Sequence, residues 1–588
     1  MQSQVEPNLS YYIAKARSID GRIFQKKIKV AILSSFTING LEEAIRVKCA
    51  ESNITCATYL CGYGQYNQDI LDQSSKLYEF SPDITFIIID TRTVLSTLFY
   101  SPYTIAANDR RTYIDKRVAD FVNLVRTFNN STDSKLVLTN CSIPNYSPYG
   151  ICEVRTEYGL QEMVYDFNSR LSDAFRGDPQ VFLFDFNSFV SKYGEINVLD
   201  YRQFLAGDIK VSLSYIPHLA EELMGYVKAN LGLNRKCIVL DLDNTLWGGI
   251  IGEDGFDRID LSLKPPGMAF VEFQRVLLAL YQRGIILAIN SRNNEDEALR
   301  AIREHPYMIL REENFATMKI NWSDKISNMK EIAEELNIGL DSIVYFDDDP
   351  VNRELMLKAI PEIMTVNLPD DPSLYASTLM RINDFNTLAI TSEDSNRGKM
   401  YKQEQKRIEL KKSASNLEDF LKQLEIKVTM KKANSFTIPR IAQLTLKTNQ
   451  FNLTTHRYQE EDIQMFAKDQ TKLIGCAQTK DKFGDNGITG VYIVNKNNAD
   501  KEWFIDTFLL SCRVMGRGIE DAMLGYILSK AKEEGAVKIK AEFIPTKKNK
   551  SCEQLLPNFG FEKEGGQQWV HTYSVPVKQT SHIELNED

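Results

Sequence analysis

CIVLDLDNTLWGGIIGEDG, residues 237–255, decides the reading of this chain. Cys237 to Leu240 is an apolar run of the length of a buried parallel strand, and it stops at two carboxylates, Asp241 and Asp243, followed by Thr245. Alternation along an extended chain turns Asp241 and Asp243 to the same side. The carboxyl edge of an open parallel sheet is where ligands bind, so both acids stand where chemistry is done. Two converging carboxylates suit nucleophilic and acid/base work, usually beside a divalent cation.

Working outward, the segment is flanked by matching pieces. GIILAINS (284–291) reads as a second strand and ends at Ser291, with Asn293 just beyond. The hydroxyl and the amides after it suit a phosphate oxygen. Lys325 opens a helical stretch over 325–336 and supplies a fixed positive charge. DSIVYFDDD (341–349) reads as another strand, ending at Asp347 and Asp348, which are hard oxygen ligands for Mg²⁺. Asp349 before Pro350 reads as a helix cap.

The chain is 588 residues long, more than one core usually serves, which predicts about three domains. Strands alternating with helices predict a doubly wound parallel α/β domain over residues 1–233 and a second over 234–370. A polar stretch, 371–425, reads as a solvated helical connector. Residues 426–577 read as an α+β domain around one long helix at 518–533, and 578–588 as a frayed tail.

Composition narrows the classes. With 70 basic and 79 acidic residues the net charge is −9, and no Lys/Arg block interleaved with aromatics tracks a phosphate backbone, which argues against nucleic acid. No apolar run approaches a membrane span and the start lacks a signal pattern, so a cytoplasmic location without membrane attachment is expected. Nine cysteines without a C-x-x-C pair and five histidines predict reduced thiols and an oxygen-ligated metal, Mg²⁺ rather than zinc.

D-x-D-x-T after a strand, then Ser, Lys and DD, resembles the four-motif pattern of the haloacid dehalogenase (HAD) superfamily. WGGIIGEDG beside NWSDK and FDDDPVNRE is similar to its FkbH-like branch, subfamily IIIC. The resemblance implies Asp241 as nucleophile, Asp243 as acid/base, and Lys325 as charge stabiliser. Thr245, Ser291 and Asn293 would bind phosphate, and Asp241, Asp243 (through its backbone carbonyl), Asp347 and Asp348 would form the Mg²⁺ site. It further implies removal of phosphate from a phosphorylated small molecule such as 1,3-bisphosphoglycerate. A glyceryl-type acyl group would then pass to the phosphopantetheine of an acyl carrier protein, in polyketide, nonribosomal or surface-glycan assembly. The family often carries a cysteine where this chain has Asn290, so transfer through a thiol at that position is excluded here. Cys237 and Cys512 read as small buried hydrophobes.

The outer domains carry weaker signals. RVMGRG (513–518) precedes a helix: Arg513, Gly516, Arg517 and Gly518 suit an anion at the helix amino terminus. With LLPNFGFE (555–562) this resembles Gcn5-related N-acetyltransferases (GNAT), implying acyl-CoA or phosphopantetheine as cofactor. Thr448, Asn449, Asn452 and Arg457 form either a polar binding surface or a capped turn. His456 and Glu520 lie within the motifs without an assigned role. In the first domain Ser35 stands where SGNH-type hydrolases place a nucleophile. Its preceding glycine is absent, and His218 in YIPH reads as structural. That domain is read as a partner-binding or carrier-binding module. Two alternatives to the leading function stay open: an acyl-CoA-dependent acyltransferase with a simple phosphatase domain, and a non-catalytic carrier-binding scaffold.

Overall fold

The computed structural model describes residues 8–19, 23–24, 26–390, 403, 406–407, 410–411, 413–497, 499–573 and 580–588. The chain divides into two compact units, Met1–Asn230 and Leu231–Asp588. Fold class is as the sequence predicts: two parallel-sheet α/β layers, then an α+β layer.

In the first unit, β1 (Lys26–Ser34), β2 (Ile54–Leu60), β3 (Ile84–Ile88), β4 (Lys135–Thr139) and β5 (Val181–Phe184) pair in parallel in the order β2-β1-β3-β4-β5. The central strands β3 and β4 are buried along their whole length, as expected with helices on both faces.

The second unit holds β6 (Cys237–Leu240), β7 (Ile286–Ser291), β8 (Phe315–Ile320), β9 (Ile343–Phe346) and β10 (Met364–Thr365), all parallel, in the order β10-β9-β6-β7-β8. From β6 the chain steps out through β7 and β8, then returns to the other side of β6 to form β9. The strand order therefore reverses between β6 and β9, the position at which doubly wound sheets bind ligands. Leu240 is paired with Phe346, so Asp241 and Asp347 leave adjacent strand ends at the same level.

The same unit carries a sheet built from β11 (Ile426–Lys432), β12 (Lys472–Asp481), β13 (Gly484–Asn497), β14 (Glu502–Leu510), β15 (Lys538–Glu542), β16 (Glu562–Gly565), β17 (Gln568–His571) and β18 (Ile583–Glu587), in the order β16-β17-β15-β14-β13-β12-β11-β18. Besides the helix Ile519–Glu533, two more helices belong here, Ile438–Lys447 and Glu460–Lys468.

Two expectations need correction. The stretch 578–588 is no frayed tail: β18 pairs in parallel with β11, and Lys530 and Tyr526 hold Glu587. The free edge of β11 accepts the Ile/Leu alternation of IELNE as a further strand. The connector 371–425, part of which lies outside the described residues, is not purely solvated either. Arg407 is buried and makes a two-pronged ion pair with buried Asp481, at 2.6 and 2.8 Å, and Phe420 and Leu424 join the apolar core of the last sheet. A lone Arg in a charged run reads as surface because its partner lies 74 positions away.

Candidate active site

Each strand end of the β6 sheet delivers one piece. Asp241 follows β6, is 7 % exposed, and its Oδ2 lies 2.9 Å from the Lys325 Nζ. Lys325 is the first residue of the helix Lys325–Glu335, which Asp324 caps by accepting the Ser327 N–H. The same ammonium lies 2.6 Å from Asp347 Oδ2, so one buried cation serves two buried carboxylates. Asp347 is further fixed by the Tyr345 hydroxyl, by the Asp349 N–H at 3.0 Å and by the Asn352 amide at 3.3 Å. Asp349 caps the next helix by accepting the Val351 N–H.

Asp243 sits on a tight loop in which Asn244 takes a positive φ of 52° and accepts the Gly249 N–H. Its Oδ1 accepts from the Trp247 indole at 2.8 Å and the Ile251 N–H at 3.2 Å, and its Oδ2 accepts from the Asn293 amide at 2.9 Å. Burial raises its pKa, with these hydrogen bonds opposing. Ser291 is buried at the end of β7, and its hydroxyl helps hold down the pKa of Asp241. Thr245 is fully buried with its hydroxyl unpartnered among the described residues.

Carboxylate oxygens of Asp241, Asp347 and Asp348 all lie within 4.8 Å of one another. Three acids against one lysine leave excess negative charge. Burial, and then Asp347 after Lys325's opposing pull, raise the Asp241 carboxyl, and burial followed by Asp241 and Asp347 pushes Asp348 up to about 6. Asp241 Oδ1 is buried without a hydrogen-bond partner among the described residues. A hard divalent cation fits this set on both counts: all donors are carboxylate oxygens, and one of them is orphaned. The carboxylate of Asp243 is not among them. It is engaged by Trp247, Ile251 and Asn293, which leaves the backbone carbonyl as the metal contact expected of that residue.

Asn290, where a thiol was considered, is fully buried and donates to the Lys325 carbonyl at 2.9 Å while accepting from Asn328. It braces the turn that presents Lys325. Burial raises the thiols of Cys237 and Cys512 well away from a reactive thiolate. Trp247, Tyr345 and Asn352 were not foreseen as site residues. Their only sequence signal is spacing: Trp247 lies four residues after Asp243, and Tyr345 two before Asp347.

In the outer sheets the predicted residues divide. Gly516 and Gly518 have φ of 72° and 80°, as a loop before a helix requires, but Arg517 is turned inward, donating to the Arg513 carbonyl at 2.7 Å with Asp481 3.6 Å away. That corrects its assignment to an anion at the surface. Arg513 donates to Ser511. Arg457 donates to the Thr445 and Thr448 carbonyls and to Asn449, and Asn452 caps Thr455, so the segment is built as a capped turn. His456 Nδ1 lies 3.4 Å from Asp506. Ser35 Oγ accepts from the Asp90 N–H at 3.0 Å and the Thr93 hydroxyl at 3.2 Å, while His218 packs on the rings of Tyr193 and Tyr215.

Residues 29–228 match the family model described as FkbH, N-terminal domain. Among solved structures the chain is similar to the N-terminal part of the protein BF1531 from Bacteroides fragilis, which contains a phosphatase domain and was crystallised with Mg. The two are 27 % identical over 64 % of this chain and 99 % of that one, with a TM-score of 0.59. It is also similar to an IAA acetyltransferase from Bacillus cereus, 19 % identical over 23 % of this chain and 77 % of that one, TM-score 0.18. A third match is an aminoglycoside acetyltransferase in complex with coenzyme A, 13 % identical over 25 % and 95 %, TM-score 0.20. Comparison with curated proteins finds no match. No helix among the described residues is long and apolar enough to cross a membrane.

Proposed function

We propose that the chain is a Mg²⁺-dependent phosphatase or phosphotransferase of the haloacid dehalogenase type, acting through an aspartyl phosphate at Asp241. The observation that carries this is the buried Asp241 carboxylate at the β6/β9 reversal, with Lys325 on one oxygen and, among the described residues, no hydrogen-bond partner on the other. The 27 % identical phosphatase-domain protein crystallised with Mg supports it.

The Asp241 carboxylate attacks the phosphorus of a bound phosphate ester or acyl phosphate, and the bond to the leaving oxygen breaks. Asp243 gives that oxygen a proton and later takes one from the water that hydrolyses the phosphoenzyme. Burial favours the protonated form this first step needs, and Oδ2, with the Asn293 amide on it, keeps a lone pair for the proton. Lys325, locked between two carboxylates, holds positive charge beside the transferring group. Asp241 and Asp348, with Asp347 behind them, would hold Mg²⁺, which when bound supplies positive charge against the phosphoryl oxygens.

The finer reading, in which an acyl group of the glyceryl type passes to an acyl carrier protein, rests on the sequence resemblance. With Asn290 bracing Lys325, Cys237 buried and both the Cys237 and Cys512 thiols raised by burial, such a transfer would not use an enzyme thiol at these positions. A carrier protein that gains no mass after incubation with an acyl phosphate and this chain would overturn it. For the phosphoryl step, the purified chain should release phosphate from acetyl phosphate with Mg²⁺. Full activity in Asp241→Asn would contradict the assignment.

A further inference from the structure

Trp247 is fully buried in the apolar core that includes Leu240 and Phe270, and its indole N–H ends on Asp243 Oδ1 at 2.8 Å. A buried indole needs an acceptor, and here the acceptor is the proton carrier of the proposed reaction. The backbone that carries the ring is pinned on both sides. Before it, the Leu246 carbonyl accepts from the Gln274 amide at 2.8 Å, and fully buried Gln274 in turn accepts from the Ile309 and Leu310 N–H groups. After it, Gly248 exchanges hydrogen bonds with Asp260 at 3.1 and 2.8 Å. A Cβ on Gly248 would stand 2.8 Å from both Asp260 and Phe270, so a side chain there would push these segments apart.

Asn293 reaches the same acid from beyond the end of β7. It is 4 % exposed, its amide donates to Asp243 Oδ2 at 2.9 Å, and its oxygen accepts the Asn294 N–H at 3.0 Å. The side chain expected to bind phosphate is therefore turned to the acid. With the Ile251 N–H at 3.2 Å, two donors fill Oδ1 and one sits on Oδ2. A carboxylate oxygen has about two lone-pair sites, so only Oδ2 keeps one open. Both the place of the proton and its direction are thereby set, and turning the carboxyl would break three hydrogen bonds at once.

Resting on the phosphoryl-transfer reading, we infer that Trp247 and Asn293 are positioning residues that fix the Asp243 carboxyl for delivering its proton to the leaving oxygen. In the first step the bond from Asp241 to phosphorus forms, the bond from phosphorus to the leaving oxygen breaks, and the Oδ2 proton passes to that oxygen. In the second, water attacks phosphorus, the bond to Asp241 breaks, and a water proton passes to Oδ2. The clamp matters most where the departing oxygen is basic: a phenoxide leaves poorly without the proton, whereas acetate leaving from acetyl phosphate needs little help.

The test measures phosphoenzyme formation in a single turnover, by rapid acid quench with Mg²⁺, from acetyl phosphate, para-nitrophenyl phosphate and phenyl phosphate, whose leaving oxygens are increasingly basic. Trp247→Phe keeps a ring and removes one donor; Asn293→Ala removes another. Each should slow phenyl phosphate about tenfold relative to acetyl phosphate, as a displaced general acid would. Neither should steepen that dependence further when added to Asp243→Asn. Equal losses across the three substrates would mean structural support alone and would overturn the inference. A second readout is independent of turnover. The chain has four tryptophans, so isotope-labelled indole nitrogens give four N–H signals in nuclear magnetic resonance. The signal lost in Trp247→Phe should move upfield in Asp243→Ala, which removes the acceptor, and a signal left in place would also overturn the inference. Absence of any phosphoenzyme in the wild type would overturn the phosphoryl-transfer reading itself and not the clamp, which the indole signal reports.

Discussion

Lys325 balances the centre: its ammonium lies within 2.9 Å of Asp241 and 2.6 Å of Asp347, both buried. Burial works against its charge, and the two carboxylates more than restore it, leaving its pKa raised. Removing it strands two buried anions, so Lys325→Met should destabilise the second unit by about 3–5 kcal/mol in urea titration at pH 7. It should also abolish phosphate release. Adding Asp347→Asn to the same chain should recover part of the stability, because one anion fewer is left uncompensated, but none of the activity. A double variant no more stable than Lys325→Met alone would contradict this coupling.

At the scale of elements, the buried Arg407–Asp481 pair ties the polar connector to β12. Arg407→Ala should cost about 3–5 kcal/mol, seen as a lowered denaturation midpoint, since Asp481 is left buried with Arg517 no nearer than 3.6 Å. On β17, His571 is buried among Phe561 and Tyr573, and burial lowers its pKa below the ordinary 6.5. The unfolded chain then binds the proton more readily than the folded one. Stability from this group is complete above pH 6.5 and is lost as pH falls through the lower folded value. The denaturation midpoint should drop between pH 7.5 and pH 5.5, and His571→Gln should flatten that slope.

These elements also mark where sequence reasoning succeeds. Cys237 to Leu240, Ile286 to Ser291 and Ile343 to Phe346 announce themselves because strands buried on both faces need continuous apolar runs. The acids after them follow from strand ends. β2, with its mixed burial, and β18, with one partly buried residue, carry no such run and were not foreseen. The bonds that Trp247, Asn290 and Asn293 make depend on tertiary approach. Arg407 and Arg517 look like surface charge until Asp481 is brought to them.

For the molecule as a whole, function divides unevenly. The β6 sheet concentrates buried charge and an orphaned carboxylate oxygen. The last sheet spends Arg517 and Arg457 internally, and the first places Ser35 as an acceptor from two donors. Mg²⁺ should therefore stabilise the second unit specifically, by about 2.7 kcal/mol at a hundredfold excess over its Kd. A thermal scan with and without Mg²⁺ reads this, and Asp348→Asn should remove most of the shift while leaving the first unit's transition where it was.

The central claim is that Asp241 carries the phosphoryl group. Acid-quenched reaction with Mg²⁺ and acetyl phosphate, digested and read by mass spectrometry, tests it most directly. The account predicts phosphate on the peptide containing Asp241, accumulating further in Asp243→Asn because the water then lacks its base, and absent in Asp241→Asn. Phosphate release that proceeds in Asp241→Asn, or a phosphorylated peptide from elsewhere in the chain, would contradict it.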